Sequence, residues 1–200
     1  MKLDVLLINP GSRRDTYQAL GEEFSAIEPP SLAALFATYL RRHGQSVAII
    51  DAPALNYGPS EVATLVRTEF KYVELIVIVV YGFQPSASTQ NMTCALETCE
   101  HIKDLLPYMP IMMTGTHPAA LPRLTMENEA VDFVCDREGP QTIDHVATAL
   151  KGGWATFRPI PSLWHREGDQ VLQNQAGNLL ADLDASMPGG AWDLLPMDKY

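Results

Sequence analysis

Two side chains are candidates for holding a polar ligand, because each follows an apolar segment with the composition of a buried strand. His117 comes after segment 110–114, and Glu138 comes after segment 131–135. An imidazole can donate or accept a hydrogen bond and a carboxylate can accept one, so both suit a polar group. The alternatives are a solvent-facing His117 and a Glu138 that pairs with Arg137 at a turn.

The cysteines lack the spacing of a metal site. Cys94 and Cys99 lie five positions apart on a predicted helix, which rotates them by roughly 140° from each other. Cys99 belongs to an apolar stripe and Cys135 ends a predicted strand, so packing explains both better than ligation. Three cysteines cannot build a disulfide framework, which favours a reducing, cytoplasmic setting.

Several protein classes are disfavoured by missing motifs. The chain has no G-x-x-x-x-G-K-[ST] phosphate loop, no G-x-G-x-x-G after the first strand and no G-x-S-x-G nucleophile elbow. Response-regulator receivers need acidic residues after strand one and at the end of strand three. This chain has Asn9-Pro10 and Tyr81-Gly82 at those places.

Five apolar segments alternate with amphipathic ones, which predicts an α/β fold. The predicted strands are 5–8, 47–51, 75–81, 110–114 and 131–135, and Ser31 is the predicted N-cap of the first helix. This alternation is typical of a parallel sheet with right-handed crossovers. We predict a three-layer Rossmann-like or flavodoxin-like domain over residues 1–153, with a five-stranded parallel sheet in the order 2-1-3-4-5.

The predicted sheet brings four loops together. Ligands of such sheets bind at the carboxyl ends of the strands, beside the point where the strand order reverses. The loops after strands one, three, four and five meet there, and all are rich in glycine, proline and small polar residues. We therefore expect a ligand site at this edge.

Residues 154–200 break the alternation. Segments 163–165 and 171–173 flank Glu167-Gly168-Asp169, which predicts a β-hairpin. Segment 178–200 has no sustained period but contains five Leu together with Trp192 and Met197, which is typical of a linker that packs against a partner.

Charge and hydropathy argue against nucleic acid and membranes as partners. The 200 residues carry 14 Lys+Arg against 24 Asp+Glu, a net charge of -10. This argues against nucleic acid and anionic membranes, since both bind basic patches. The longest apolar run, 75–80, is far shorter than the roughly 20 residues that span a bilayer. Asp4 stands where the apolar part of a signal peptide would begin.

The loops, taken in order, resemble the opening of cobalamin-binding radical S-adenosylmethionine enzymes. The resemblance rests on the strings Leu-Leu-Ile-Asn-Pro (6–10), Glu-Pro-Pro-Ser-Leu (28–32), Tyr-Leu-Arg-Arg-His-Gly (39–44), Thr-Gly-Thr-His-Pro (114–118) and Asp-Arg-Glu-Gly (136–139). The hairpin and segments 182–184 and 191–196 are similar to the connector that precedes the radical domain in that family. The resemblance spans essentially the whole chain.

The resemblance implies a cobalamin site, with the corrin over the carboxyl edge of the sheet and the dimethylbenzimidazole tail between strands and helices. The cofactor-binding residues it implies are Asn9, Pro10 and Gly11, then Tyr81, Gly82, Phe83, Gln84 and Ser86, then Gly115, Thr116 and His117, and finally Glu138 and Gly139. At Gly115, a side chain would block a nucleotide tail that passes close to the backbone. No residue is implied as catalytic or as a metal ligand.

This chain lacks two motifs found in related cobalamin or radical enzymes, and each absence refines the expected function. Many cobalamin proteins carry Asp-x-His-x-x-Gly after strand one, whose histidine binds cobalt, whereas this chain has Gly-Ser-Arg-Arg-Asp at 11–15. The radical subgroup implies base-off cobalamin without a protein histidine, a state that we hypothesise gives up a methyl group readily. The Cys-x-x-x-Cys-x-x-Cys motif is absent, so the [4Fe-4S] cluster and S-adenosylmethionine would belong to a radical domain outside this chain, in cis or in trans.

The expected function is that of the N-terminal cobalamin-binding domain of a radical S-adenosylmethionine enzyme. The leading interpretation is a methyltransferase acting on an unactivated carbon or phosphorus centre, although the chain alone lacks the cluster motif. One alternative is an interaction or regulatory module that kept the fold and lost the cofactor, which Thr116 and Gln84-Pro85 leave open. Another is a flavin-binding domain, disfavoured because only Ser12 and Thr16 stand in the expected phosphate loop.

Overall fold

The computed structural model of the protein describes residues 2–11, 27–82, 85–153 and 156–200, with the backbone alone at residues 85 and 86. The strands in these ranges are β1 (Val5–Asn9), β2 (Val47–Asp51), β3 (Leu75–Val80), β4 (Ile111–Gly115), β5 (Phe133–Cys135), β6 (Leu163–Glu167) and β7 (Gln170–Gln173). They form one sheet in the order β2-β1-β3-β4-β5-β6-β7.

The helices in the described ranges connect and cover the strands. They are α1 (Ser31–Arg42), α2 (Ala52–Leu55), α3 (Pro59–Glu69), α4 (Pro85–Leu105), α5 (Thr116–Ala120), α6 (Pro122–Thr125), α7 (Pro140–Lys151) and α8 (Leu183–Ser186). Two 3-10 turns cover Trp192–Leu194 and Met197–Lys199. The longest of these helices, α4, has 21 residues, and none in the described ranges is long and apolar enough to cross a membrane.

The predicted order of the parallel strands is confirmed, and the predicted strand count is corrected. β1 pairs in parallel with β2 and β3, β4 pairs with β3, and β5 pairs with β4. The predicted hairpin extends this sheet, because β6 pairs antiparallel with β5 and β7 pairs antiparallel with β6. The sheet therefore has seven strands rather than five.

Each face of the sheet is covered by its own hydrophobic core. Helices α1 and α7 pack on one face, and α3 and α4 pack on the other. All six residues of β3 are buried, as expected for a central strand that is covered on both sides. Helices on both faces of a mostly parallel sheet give the predicted three-layer, Rossmann-like architecture.

Helix α1 begins differently from the prediction. Ser31 is its first helical residue, and Pro30 precedes it as the cap without a side-chain hydrogen bond. Ala33, Phe36 and Leu40 lie in the core beneath the helix. Packing of this apolar face therefore stabilises α1 without help from a serine cap.

The C-terminal segment, residues 174–200, folds back onto α1. The backbone N–H of Ala191 donates to the carbonyl of Ala34 at 3.0 Å. The Arg41 guanidinium donates through Nη1 and Nη2 to the Asp193 carboxylate, each at 2.9 Å. Part of the apolar surface of the segment is buried by this packing, but four large side chains stay exposed: Leu179, Leu183, Trp192 and Met197.

Candidate functional site

The carboxyl ends of the parallel strands lie at one edge of the sheet. We define the carboxyl edge as residues 9–11, 81–82, 114–117 and 136–139, which end or follow β1, β3, β4 and β5. The strand order reverses at β1, because β2 lies on one side of it and β3 on the other. Crevices at such reversals are the usual ligand sites of open α/β sheets. Each loop contributes one glycine: Gly11, Gly82, Gly115 and Gly139.

At the β1–β2 end of the carboxyl edge, Asn9 binds a buried acid. Asn9 Nδ2 donates to Asp51 Oδ1 at 2.8 Å, because the two residues are partners in the parallel pairing of β1 with β2. The Tyr200 hydroxyl donates to Asp51 Oδ2 at 2.5 Å. Burial raises the pKa of Asp51, and these two hydrogen bonds oppose that rise. The adjoining Pro10 and Gly11 are buried.

The loop after β3 packs tightly between two helices. The Tyr81 ring meets Phe36 of α1 edge-on, with ring centroids 5.9 Å apart. Burial raises the pKa of the Tyr81 phenol, so Tyr81 offers a neutral hydroxyl rather than a charge. At Gly82, an added Cβ would lie 2.2 Å from the Cβ of Ala87, so α4 and the loop are in direct contact.

Three members of the predicted site cannot be placed in this loop. Phe83 and Gln84 lie outside the described residues, and so does the side chain of Ser86. Their participation in a ligand site stays a prediction.

Two neighbouring hydroxyl residues of α4 hold His117. The buried Ser88 side chain donates to the Val80 carbonyl at 2.5 Å and accepts the His117 backbone N–H at 2.9 Å. The Thr89 hydroxyl lies 3.0 Å from His117 Nδ1. The imidazole is half-buried, and it can offer Nε2 to a ligand. The structure therefore gives His117 a defined orientation, and its ligand-binding role stays a prediction.

The end of β4 combines a required glycine with a buried hydroxyl. Gly115 has a φ of 153°, and a Cβ built there would lie 2.0 Å from the Val80 carbonyl oxygen. The glycine is thus required by the protein's own backbone, which is a different reason from the nucleotide tail that the sequence suggested. The Thr114 hydroxyl is buried and has no hydrogen-bond partner of standard geometry among the described residues. The Tyr81 phenol lies near it. Thr116 is exposed.

Glu138 is engaged by the C-terminal segment. Its Oε2 accepts the backbone N–H of Leu180 at 2.8 Å. Arg137 is exposed, and the described residues show no ion pair between it and Glu138. The ligand-binding role of Glu138 therefore stays a prediction. The neighbouring Gly139 is buried with a φ of 101°, where an added Cβ would lie 3.1 Å from the Phe36 ring.

Three residues that organise the carboxyl edge were not among the predicted site residues: Asp51, Ser88 and Tyr200. Asp51 had a usable signal, because an acid at the carboxyl end of a buried strand faces the ligand side of such a sheet. Ser88 had none, since a serine in the first turns of a helix is common. Tyr200 lies 149 positions from Asp51, and no local pattern joins residues so far apart.

The described part of the molecule shows no metal centre. It contains no group of three or more His, Cys, Asp or Glu side chains that could hold a metal ion. Cys94, Cys99 and Cys135 are buried and form no disulfide, and burial raises the pKa of the Cys99 and Cys135 thiols. Buried thiols of this kind pack in the core and are poor nucleophiles.

Comparison with known proteins gives a family and a relative. The model of the B12 binding domain matches residues 17–147. The chain is 28% identical over 199 residues to a protein of Pyrococcus horikoshii named uncharacterized methyltransferase PH0819. That alignment covers 99% of this chain and 40% of the relative, so the chain spans well under half of the length of the relative.

Solved structures share the fold. The radical S-adenosylmethionine methyltransferase TsrM from Kitasatospora setae, with cobalamin and a [4Fe-4S] cluster bound, has a TM-score of 0.66 and 18% identity, over 90% of this chain and 30% of that chain. The cobalamin-dependent S-adenosylmethionine radical enzyme OxsB, with aqua-cobalamin bound, has a TM-score of 0.63 and 18% identity, over 88% of this chain and 22% of that chain. Because the B12 binding model covers well over half of the 200 residues, this chain belongs to the B12-binding domain family.

Proposed function

We propose that this chain binds cobalamin at its carboxyl edge and serves as the N-terminal cobalamin-binding domain of a radical S-adenosylmethionine methyltransferase. The main support is the strand order, which gathers four glycine-containing loops at one edge of a B12-binding domain. The name of PH0819 supports the methyltransferase assignment. The chain covers less than half of each relative, so we assign the [4Fe-4S] cluster and S-adenosylmethionine to a radical domain that acts in cis or in trans.

The described residues fit a large, amide-rich ring. The buried Thr114 hydroxyl has no hydrogen-bond partner of standard geometry among the described residues, so its hydrogen-bonding capacity is available to a polar group of the ligand. Asn9 and His117 would hold polar groups at opposite parts of the edge, and Tyr81 would contribute a neutral ring. When bound, cobalamin supplies the cobalt chemistry, while the protein binds it, orients it and excludes water.

We also propose that cobalamin is bound base-off, with no histidine of this chain on cobalt. The support for this proposal is the sequence at 11–15, which lacks the histidine of the Asp-x-His-x-x-Gly pattern. Electron paramagnetic resonance of the Co(II) form tests this proposal, because an axial nitrogen splits each cobalt line into three. Unsplit lines are expected. Nitrogen splitting that disappears in His117→Ala would contradict it.

A titration with hydroxocobalamin tests the binding function itself. We expect a change in the visible spectrum that saturates at one corrinoid per chain. His117→Ala should weaken binding, whereas His145→Ala should not, because His145 is exposed on α7. No spectral change at micromolar protein, with no corrinoid in the purified protein, would contradict the proposal and favour a module without cofactor. Flavin bands would favour the flavodoxin-like alternative.

The cellular setting follows from the cysteines. Three buried cysteines that form no disulfide suit a reducing compartment, and we therefore propose a cytoplasmic location. Expression in a cytoplasmic host should yield a protein whose thiols titrate in full after denaturation. Disulfides in the freshly isolated protein would contradict this location.

A further inference from the structure

Asp51 joins two parts of the chain that are far apart in sequence. Its Oδ1 accepts from Asn9, the last residue of β1, and its Oδ2 accepts from the hydroxyl of Tyr200, which follows the turn Met197–Lys199. Only 1% of Asp51 is exposed. The carboxylate therefore connects the C-terminal segment to the loop that opens the carboxyl edge.

Three donors interact with this carboxylate and lower the pKa of Asp51: the Tyr200 hydroxyl, the Asn9 amide and the backbone N–H of Ala54. A buried acid is costly unless its oxygens accept hydrogen bonds. Without the Tyr200 hydroxyl, Oδ2 would lose a donor, and the carboxylate would turn toward water or toward the Asn9 and Ala54 donors, or take up a proton. Each of these changes would alter the acceptor that Asn9 binds.

The carboxylate also determines which end of the Asn9 amide is available. An ionised carboxylate only accepts hydrogen bonds, so Asn9 must direct its NH2 group at Asp51. The amide carbonyl then points away from Asp51, and no hydrogen bond to it is seen among the described residues, so it can serve as an acceptor. The corrin ring of cobalamin carries primary amide side chains, whose N–H groups donate.

We propose that Asp51 is a positioning residue of the ligand site, and that Tyr200, by docking on Asp51, orients Asn9 to accept a hydrogen bond from an amide side chain of the corrin. This inference rests on the proposed function, since it requires cobalamin at the carboxyl edge. It gives the C-terminal segment a role in ligand binding through contacts that Tyr200 makes with the protein rather than with the ligand.

A mutant cycle in the 200-residue chain tests the coupling. Hydroxocobalamin is titrated into the wild type, Tyr200→Phe, Asn9→Ala and the double variant, with Tyr108→Phe as the control because Tyr108 is 96% exposed. We expect each single variant to weaken affinity by about three- to tenfold, the scale of a lost hydrogen bond between neutral groups. The double variant should bind no more weakly than Asn9→Ala, and the control should match the wild type. Multiplicative losses in the double variant would overturn the proposal.

Hydrogen exchange of the C-terminal segment gives a second readout that does not need chemistry at cobalt. Cobalamin should slow exchange over residues 191–200 in the wild type and leave it unchanged in Tyr200→Phe. Where Asn9→Ala fails to fold, Asn9→Ser replaces it in the cycle, since it keeps a small polar side chain while removing the amide.

The two proposals fail in different ways. If the wild type does not bind hydroxocobalamin, the proposed function is wrong and the role of Asp51 falls with it. If the wild type binds and Tyr200→Phe binds equally well, only the positioning role is wrong.

Discussion

The backbone N–H of Leu180 donates to the carboxylate of Glu138 at 2.8 Å, which fastens the C-terminal segment to the loop after β5. At the other end of the edge, Tyr200 binds Asp51, the last residue of β2. Between these two contacts the segment crosses α1, where Ala191 and Asp193 are bound. The segment is therefore attached to the domain from one side of the parallel sheet to the other.

Removal of the Glu138 carboxylate should loosen the start of this attachment. We expect Glu138→Ala to destabilise the protein by about 1–2 kcal/mol, because the Leu180 N–H loses a charged acceptor. Glu138→Gln keeps a neutral acceptor and should retain about half of that free energy. Urea unfolding gives the stabilities, and hydrogen exchange at the Leu180 amide gives the local effect. Unchanged protection of that amide in Glu138→Ala would contradict the prediction.

Ser88 and Thr89 form a matched pair around His117. Ser88→Ala should cost about 2 kcal/mol, because the buried hydroxyl serves both the Val80 carbonyl and the His117 N–H. Thr89 is exposed, and Thr89→Ala should cost only about 0.5 kcal/mol. Urea unfolding measures the free energy that each variant loses. Equal losses in Ser88→Ala and Thr89→Ala would show that the two hydrogen bonds of Ser88 add no stability.

Gly115 should tolerate no side chain. Gly115→Ala combines a positive φ with a Cβ placed 2.0 Å from the Val80 carbonyl oxygen, and we expect a loss of about 3 kcal/mol or more. Gly153→Ala is the control, since Gly153 has a φ of 62° and no atom within 4 Å of an added Cβ. It should lose about 1 kcal/mol from backbone strain alone. Thermal unfolding of both variants measures how much more stability Gly115→Ala loses than Gly153→Ala. Equal losses would contradict the predicted clash with Val80.

The buried Asp51 should give stability an unusual pH dependence. Burial raises its pKa in the folded state above the ordinary 3.8, so the folded protein binds this proton more tightly than the unfolded chain does. The Asp51 contribution to stability is therefore full below about pH 3.8 and is lost as the pH rises through the folded-state pKa. Relative to Asp51→Asn, the wild type should gain stability as the pH falls through that window.

Urea unfolding of wild type and Asp51→Asn at several pH values measures this difference. Asp104→Asn serves as the control, because Asp104 is exposed on α4 and should show a nearly constant difference from the wild type. If instead the wild type loses stability relative to Asp51→Asn as the pH falls, the carboxylate gains more from its hydrogen bonds than it loses by burial, and the prediction is wrong.

The parallel part of the fold was predictable because it depends on local patterns. Runs such as Leu75–Val80 are apolar at every position, which requires burial on both faces, and alternation with helices then restricts the topology. The hairpin was predicted from its turn residues, but its attachment to β5 was not. That attachment depends on pairings such as Val134 with Trp164, which no local pattern specifies.

The site was predictable to the level of loops and less so at the level of single side chains. His117 and Asn9 lie at the carboxyl edge because strand ends determine the positions of the loops. Their partners Thr89 and Asp51 come from other elements. The strand-end position of Asp51 could have marked it as a candidate, but the sequence carries no signal for the contacts themselves. The apolar C-terminal segment was expected to meet a partner, and part of that partner is α1 of the same chain.

The β6–β7 hairpin protects an edge that would otherwise invite association between molecules. Without it, the three-residue strand β5, all of whose residues are buried, would present unpaired backbone groups beside an open core. Such edges pair with other chains. The hairpin replaces β5 with β7, whose outermost residues Gln170 and Gln173 are exposed and polar. A chain cut after residue 153 would therefore be prone to aggregate, and the hairpin belongs in any minimal soluble form of this domain.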